Sequence, residues 1–81
     1  MAGKKEDCID KKFLIDNPRL EKIFIECGIR TYGQIIDLGC KGISLKRGIG
    51  ENNTALIHNH LKKAGFNGGL PGYGKRQKYY N

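Results

Sequence analysis

Gly48-Ile49-Gly50-Glu51-Asn52-Asn53-Thr54-Ala55 is the stretch on which the reading of this chain turns. Two glycines around one apolar residue let the backbone turn tightly and come close to a partner, because neither carries a Cβ. The polar run that follows opens a helix. Its unpaired first-turn N–H groups and positive dipole end favour an anion such as a phosphate. The stretch reads as a glycine hairpin able to grip a nucleic-acid backbone, so the expectation is a binding module first and an enzyme second.

Working outward, Ile57, Leu61 and Ala64 recur at i, i+4 and i+7, predicting a helix over roughly 51–64 that Gly65 closes. Upstream, Thr31-x-x-Gln34 is a capping box opening a short helix with Ile35, Ile36 and Leu38, which Gly39 ends. Ile43 and Leu45 mark one more helical turn before the hairpin. Earlier still, Asn17 has the place of an N-cap and Pro18 that of the first helical residue. Leu20, Ile23, Phe24 and Cys27 follow at helical spacing, with Gly28 as a left-handed stop, predicting a helix over 18–27 with Cys27 as a small buried hydrophobe. Phe13-Leu14-Ile15 is expected to be extended and packed on the core. The expectation is an all-α, compact bundle of four to five short helices containing a helix-hairpin-helix-like element. Residues 1–12 form a flexible polar segment, 13–66 the helical domain, and 67–81 a flexible glycine-rich, basic and aromatic tail.

The net charge of +7 and the pI near 9.5 point to an acidic partner, most often nucleic acid. Residues 13–66 hold eight Lys/Arg against five Asp/Glu, so about half of the excess lies outside the helical domain. Lys75, Arg76 and Lys78 interleave with Tyr73, Tyr79 and Tyr80, a mixture that can stack on bases and attract phosphates as an auxiliary binding arm. The bland alternative is a solvated end. Cys8, Cys27 and Cys40 lack any Cys-x-x-Cys spacing, which points to reduced thiols rather than a disulfide set or a zinc site. His58 and His60, two apart on a helix, face different directions and do not share a metal; one is expected at the surface and the other partly packed. No apolar run approaches the roughly 20 residues that span a bilayer. The charged start is unlike a secretory signal, so a cytoplasmic monomer is expected, nucleoid-associated if it binds DNA. Paired carboxylates, a nucleophile–base set and a Walker pattern are all missing, and Gly72-x-Gly74 lacks the context of a dinucleotide fingerprint. The expectation is therefore no enzyme, no cofactor and no metal.

Four blocks carry a family resemblance: Asn17-Pro18-Arg19, Gly28-Ile29-Arg30-Thr31-Tyr32-Gly33-Gln34-Ile35, Ile49-Gly50-Glu51-Asn52-Asn53 and Gly65-Phe66. In these, Asp16 to Phe66 resembles the C-terminal domain of the bacterial RNA polymerase alpha subunit, with matching spacing and no gap. About 50 of the 81 residues are covered. The large N-terminal assembly domain of that subunit has no counterpart here, so a free-standing bacterial or phage module is expected.

The resemblance implies binding in the minor groove of A/T-rich DNA. The groove-entering Arg of the family falls on Arg19 and the hairpin glycine on Gly50, both intact. A neighbouring Asn and Cys fall on Lys22 and Ile23, and the hairpin Lys and Ser on Asn52 and Asn53. An Arg in a narrow A/T-rich groove gains from its negative potential. Lys22 keeps a donor and adds charge, whereas Asn52 deletes a cation and Glu51 adds an acid beside the expected phosphate. A neutral Asn53 contact is weaker than a charge-assisted one. The implied DNA surface is Arg19, Lys22, Ile23, Gly48, Gly50, Asn52 and Asn53, with Lys75, Arg76, Lys78, Tyr79 and Tyr80 as an auxiliary tail. Two function classes remain open. One is a small DNA-binding module of transcription. The other is a protein-interaction module that docks on polymerase, a sigma factor or a regulator, as a phage or mobile-element mimic would, and has lost the DNA grip.

Overall fold

Most helix ends of this chain fall where unpaired backbone groups find partners. The computed structural model describes residues 4–73. In it four helices follow one another: α1 (Lys11–Asp16), α2 (Pro18–Cys27), α3 (Tyr32–Ser44) and α4 (Glu51–Lys63). The fold is all-α, and among the described residues only an isolated antiparallel bridge, Cys8 with Thr31, departs from helix and turn.

Phe13-Leu14-Ile15 is helical, which corrects the extended segment expected there. Asp10 caps α1, its carboxylate accepting from Lys12 N–H at 3.1 Å. Asn17 then does a different job from the one its place implied. Its Nδ2 donates to the Phe13 carbonyl at 2.9 Å and makes no side-chain cap on α2. Pro18 opens α2 as expected, and Gly28 closes it with φ +72°. Gly28 N–H donates to the Ile25 carbonyl and Ile29 N–H to that of Phe24, at 3.2 and 2.8 Å, which is a Schellman ending. Leu20, Ile23 and Phe24 are buried, whereas Cys27 is exposed. Cys27 is the last residue of α2 and turns to solvent; the buried thiol is Cys40.

The capping box opens α3 with both of its bonds, Thr31 to Gln34 N–H and Gln34 to Thr31 N–H. At Gly39, φ 69° and ψ −178° break α3 into two pieces, so the expected stop and the further turn beyond it are both present. The segments before α1 and after α4 close over α3. Tyr32 N–H donates to the Asp7 carbonyl (3.1 Å) and Gly33 N–H to that of Lys5 (2.8 Å), while Cys40 N–H beyond the kink donates to Pro71 at 2.6 Å. Ile9 and Leu70 are 3% and 1% exposed, so parts of both segments expected to be flexible belong to the core. With Ile35, Ile43, Ile57 and Leu61 they make one apolar cluster, α1 lying on α2 and α3 on α4.

Both histidines of α4 are structural, which corrects the expectation that one is at the surface. His60 stacks on Phe13 with centroids 4.0 Å apart, and its Nε2 is 2.9 Å from the Tyr32 hydroxyl. That hydroxyl also accepts from Asp10 N–H at 3.0 Å. We assign the hydroxyl proton to the His60 bond, which leaves Nε2 as acceptor and puts the ring proton on Nδ1. His58 Nδ1 accepts from Leu70 N–H at 3.0 Å, and its ring stacks on Tyr73 at 4.1 Å. Burial pushes both histidines below 6.5, with Lys62 adding to the effect at His58 and Lys63 at His60 against the opposing Asp10. Burial likewise raises the Tyr32 hydroxyl.

Two predictions follow from these closures. Gly28→Ala puts a Cβ in open space but in a left-handed conformation, and is expected to cost about 1–2 kcal/mol in urea denaturation. In the pH dependence, a base whose folded pKa is lowered binds protons more weakly when folded. The stability it lends is therefore full above about pH 6.5 and falls as pH drops through the lowered values. Melting temperatures recorded between pH 7.5 and 5 are expected to fall with pH, and His60→Phe to flatten the slope.

Candidate functional site

The connection from α3 to α4 is a tight turn with one apolar pin. Lys46 N–H donates to the Ile43 carbonyl at 3.0 Å and Ile49 N–H to that of Lys46 at 3.2 Å, and Ile49 is 4% exposed. Leu45, read as an apolar marker of this turn, is its exposed cap residue. Gly48 has φ +90°, and a Cβ built there would lie 3.0 Å from Ile23 Cδ1. The turn thus packs closely on α2, and a Cβ at 48 would need Ile23 Cδ1 to give by a few tenths of an ångström.

Gly50 is glycine for no such reason. Its φ of −98° suits any residue, and a Cβ there would meet nothing within 4 Å. It is the N-cap of α4, with no side-chain cap hydrogen bond. Beyond it, Thr54 is fully buried, its backbone and hydroxyl both bonded to the Gly50 carbonyl at 3.0 and 2.8 Å. Glu51 and Asn52 are exposed. The start of α4 is therefore held rigidly from below and left bare above, while that of α3 is covered by the carbonyls of Lys5 and Asp7.

The expected residues divide accordingly. Arg19 and Lys22 are exposed on α2, and the Ile23–Gly48 contact brings that helix against the hairpin, with Arg19 one turn before Ile23. Ile23 itself is 8% exposed, so it supports the surface from beneath rather than touching a ligand. Gly48, Gly50 and Asn52 are exposed along the hairpin and first turn. Asn53 is half-buried, and its Nδ2 donates to the Gly48 carbonyl at 3.3 Å, so it braces the turn with the donor that was expected to meet a phosphate. The tail residues Lys75, Arg76, Lys78, Tyr79 and Tyr80 lie outside the described residues.

Sequence reasoning missed Lys46 and Arg47. They enter the hairpin directly before Gly48, half-buried and exposed respectively. The available signal was two consecutive cations at the mouth of the hairpin. Among the described residues no three or more His, Cys, Asp or Glu side chains are grouped to hold a metal ion, and no helix is long and apolar enough to cross a membrane. Against known protein families, characterised proteins and solved structures, the chain finds no match.

The contrast between the two glycines is testable. Gly50→Ala is expected to cost less than about 1 kcal/mol, as an N-cap change without steric conflict. Gly48→Ala combines a left-handed backbone with a tight approach to Ile23 Cδ1, and is expected to be the more destabilising by chemical denaturation.

Proposed function

We propose that this protein is a small DNA-binding module of transcription, built like the C-terminal domain of the bacterial RNA polymerase alpha subunit around a helix-hairpin-helix. The observation that carries this reading is the bare first turn of α4, opening at a glycine that the packing does not require and approached by Lys46 and Arg47. A glycine there lets a phosphate come up to the backbone N–H groups, where the dipole favours its charge. Arg19 and Lys22, on the helix that braces the hairpin, would meet the neighbouring minor groove, with Arg19 favouring A/T-rich sequence. Phosphate contacts set the register and Arg19 supplies the preference. The protein would then sit on the nucleoid.

NMR titration of the full chain with an A/T-rich and a G/C-rich duplex tests this reading. Shifts are expected at Arg19, Lys22 and residues 46–52, larger with the A/T-rich duplex. Arg47→Ala is expected to weaken both duplexes alike and to lower the salt slope by about 1, whereas Arg19→Ala is expected to remove the A/T preference. Shifts confined to residues 74–81, or no shifts, would sink it. The second reading, a protein-interaction module docking on polymerase, a sigma factor or a regulator, is favoured by the exposed Ile15 and Ile25. It requires no salt dependence at the hairpin.

A further inference from the structure

We propose that residues 69–73 form an acid-released strap, latched onto α3 and α4 by the neutral imidazole of His58. The strap keeps its own shape through Gly69 N–H to the Phe66 carbonyl at 2.8 Å and Tyr73 N–H to that of Leu70 at 3.0 Å. It meets α4 at the Leu70 N–H, which donates to His58 Nδ1 at 3.0 Å. It meets α3 at the Pro71 carbonyl, which accepts from Cys40 N–H at 2.6 Å. Leu70 is buried at the same place, 1% exposed. Two further strap residues approach the His58 ring. Tyr73 stacks on it with centroids 4.1 Å apart, and Gly69, with φ +62°, comes so close that a Cβ there would run into Nδ1 and Cε1.

The latch works in one protonation state. While Nδ1 accepts from Leu70, the ring proton sits on Nε2. A second proton goes to Nδ1 and sets one N–H against another. Both ring nitrogens then donate, so no flip of the ring restores an acceptor. The Leu70 amide is left buried without its partner, and it regains one from water when the strap lifts. The charged and titratable groups facing the ring are Lys62, one turn further along α4, and the Tyr73 phenol on the strap. Burial opposes the second proton and Lys62 adds to it, which holds His58 neutral at pH 7. The face of Tyr73 tolerates a cation, so the cost of protonation falls on the Leu70 bond rather than on the stack. His60 differs: Asp10 favours its proton, and it holds Phe13 and Tyr32 rather than the strap. The strap's stake in the core is Leu70 with part of Tyr73, so its release leaves the rest of the apolar cluster in place. It also shifts the point from which residues 74–81, with Lys75, Arg76 and Lys78, continue.

The test follows the full ¹⁵N-labelled chain by NMR from pH 7.5 to 5, with hydrogen exchange read as protection relative to an unstructured peptide at each pH. The His58 ring and the Leu70 and Tyr73 amides are expected to share one midpoint below 6.5. Across it, protection of the Leu70 and Cys40 amides is expected to drop at least about tenfold, while that of the α2 and α4 amides holds. His58→Asn puts a carbonyl oxygen near the place of Nδ1 and has no proton to gain, and is expected to keep the strap protected at pH 5. His60→Phe is expected to leave the strap's midpoint where it is. Constant protection of Leu70 and Cys40 while the His58 ring titrates would overturn the proposal, as would a ring that gains no proton down to pH 5. So would a loss shared equally by strap and helix amides, a midpoint displaced by His60→Phe, or a strap that still lifts in His58→Asn. Should His58→Asn fail to fold, the exchange pattern of the unaltered chain decides alone.

Discussion

Three backbone donors of α3 are met from outside that helix: Tyr32 and Gly33 in its first turn, and Cys40 just beyond the Gly39 kink. Buried or half-buried, an unpaired amide costs about as much as a lost hydrogen bond. The carbonyls that answer them come from the two ends of the chain, Asp7 and Lys5 on one side and Pro71 on the other. A domain of this size has little apolar surface to spare. Bringing in Ile9 and Leu70 along with those carbonyls closes the core at both sides. The histidines of α4 secure the same closure, His60 through Phe13 and Tyr32, His58 through Leu70 and Tyr73. Because the α4 rings act as acceptors, they serve only while neutral, and burial favours that form.

With the segments before α1 and after α4 held in this way, the described residues leave two surfaces that their packing does not use. One is the first turn of α4, braced by Thr54, Asn53 and Ile49 from below and pressed against α2 through Gly48 and Ile23. The other is the apolar groove lined by Ile9, Leu14, Phe24 and Ile29. The first is polar and backbone-lined, the second apolar, and they draw on different residues.

Much of the architecture was legible in the residues because its signals are local. Pro18 and Gly28 bound α2, Thr31 and Gln34 open α3, Gly39 interrupts it, and the spacing of Ile57 and Leu61 places α4 against the core. The exposed cations Arg19 and Lys22 and the hairpin glycines were legible for the same reason. The misreadings concern side chains whose role depends on a distant partner. Asn17 has the position of an N-cap but turns back to the Phe13 carbonyl, Cys27 has helical spacing but ends at solvent, and Asn53 braces the turn it was expected to serve. Lys46 and Arg47 escaped notice because consecutive cations are common on surfaces, and only the shape of the turn shows where they stand.

Local signals suffice for the helical class, the bounds of α2, the start of α3 and its break at Gly39, the extent of α4 and the glycine turn before it, because caps, turns and 3.6-residue periodicity act within a few residues of the chain. Contacts across the fold settle that Phe13-Leu14-Ile15 coils, that Ile9 and Leu70 enter the core, and that two histidines pack against these segments. They also separate two glycines that look equivalent in Gly48-Ile49-Gly50. One is required by a left-handed turn pressed on Ile23; the other is left open to solvent. That difference depends on what lies across the fold from each residue, and periodicity along the chain carries no record of it.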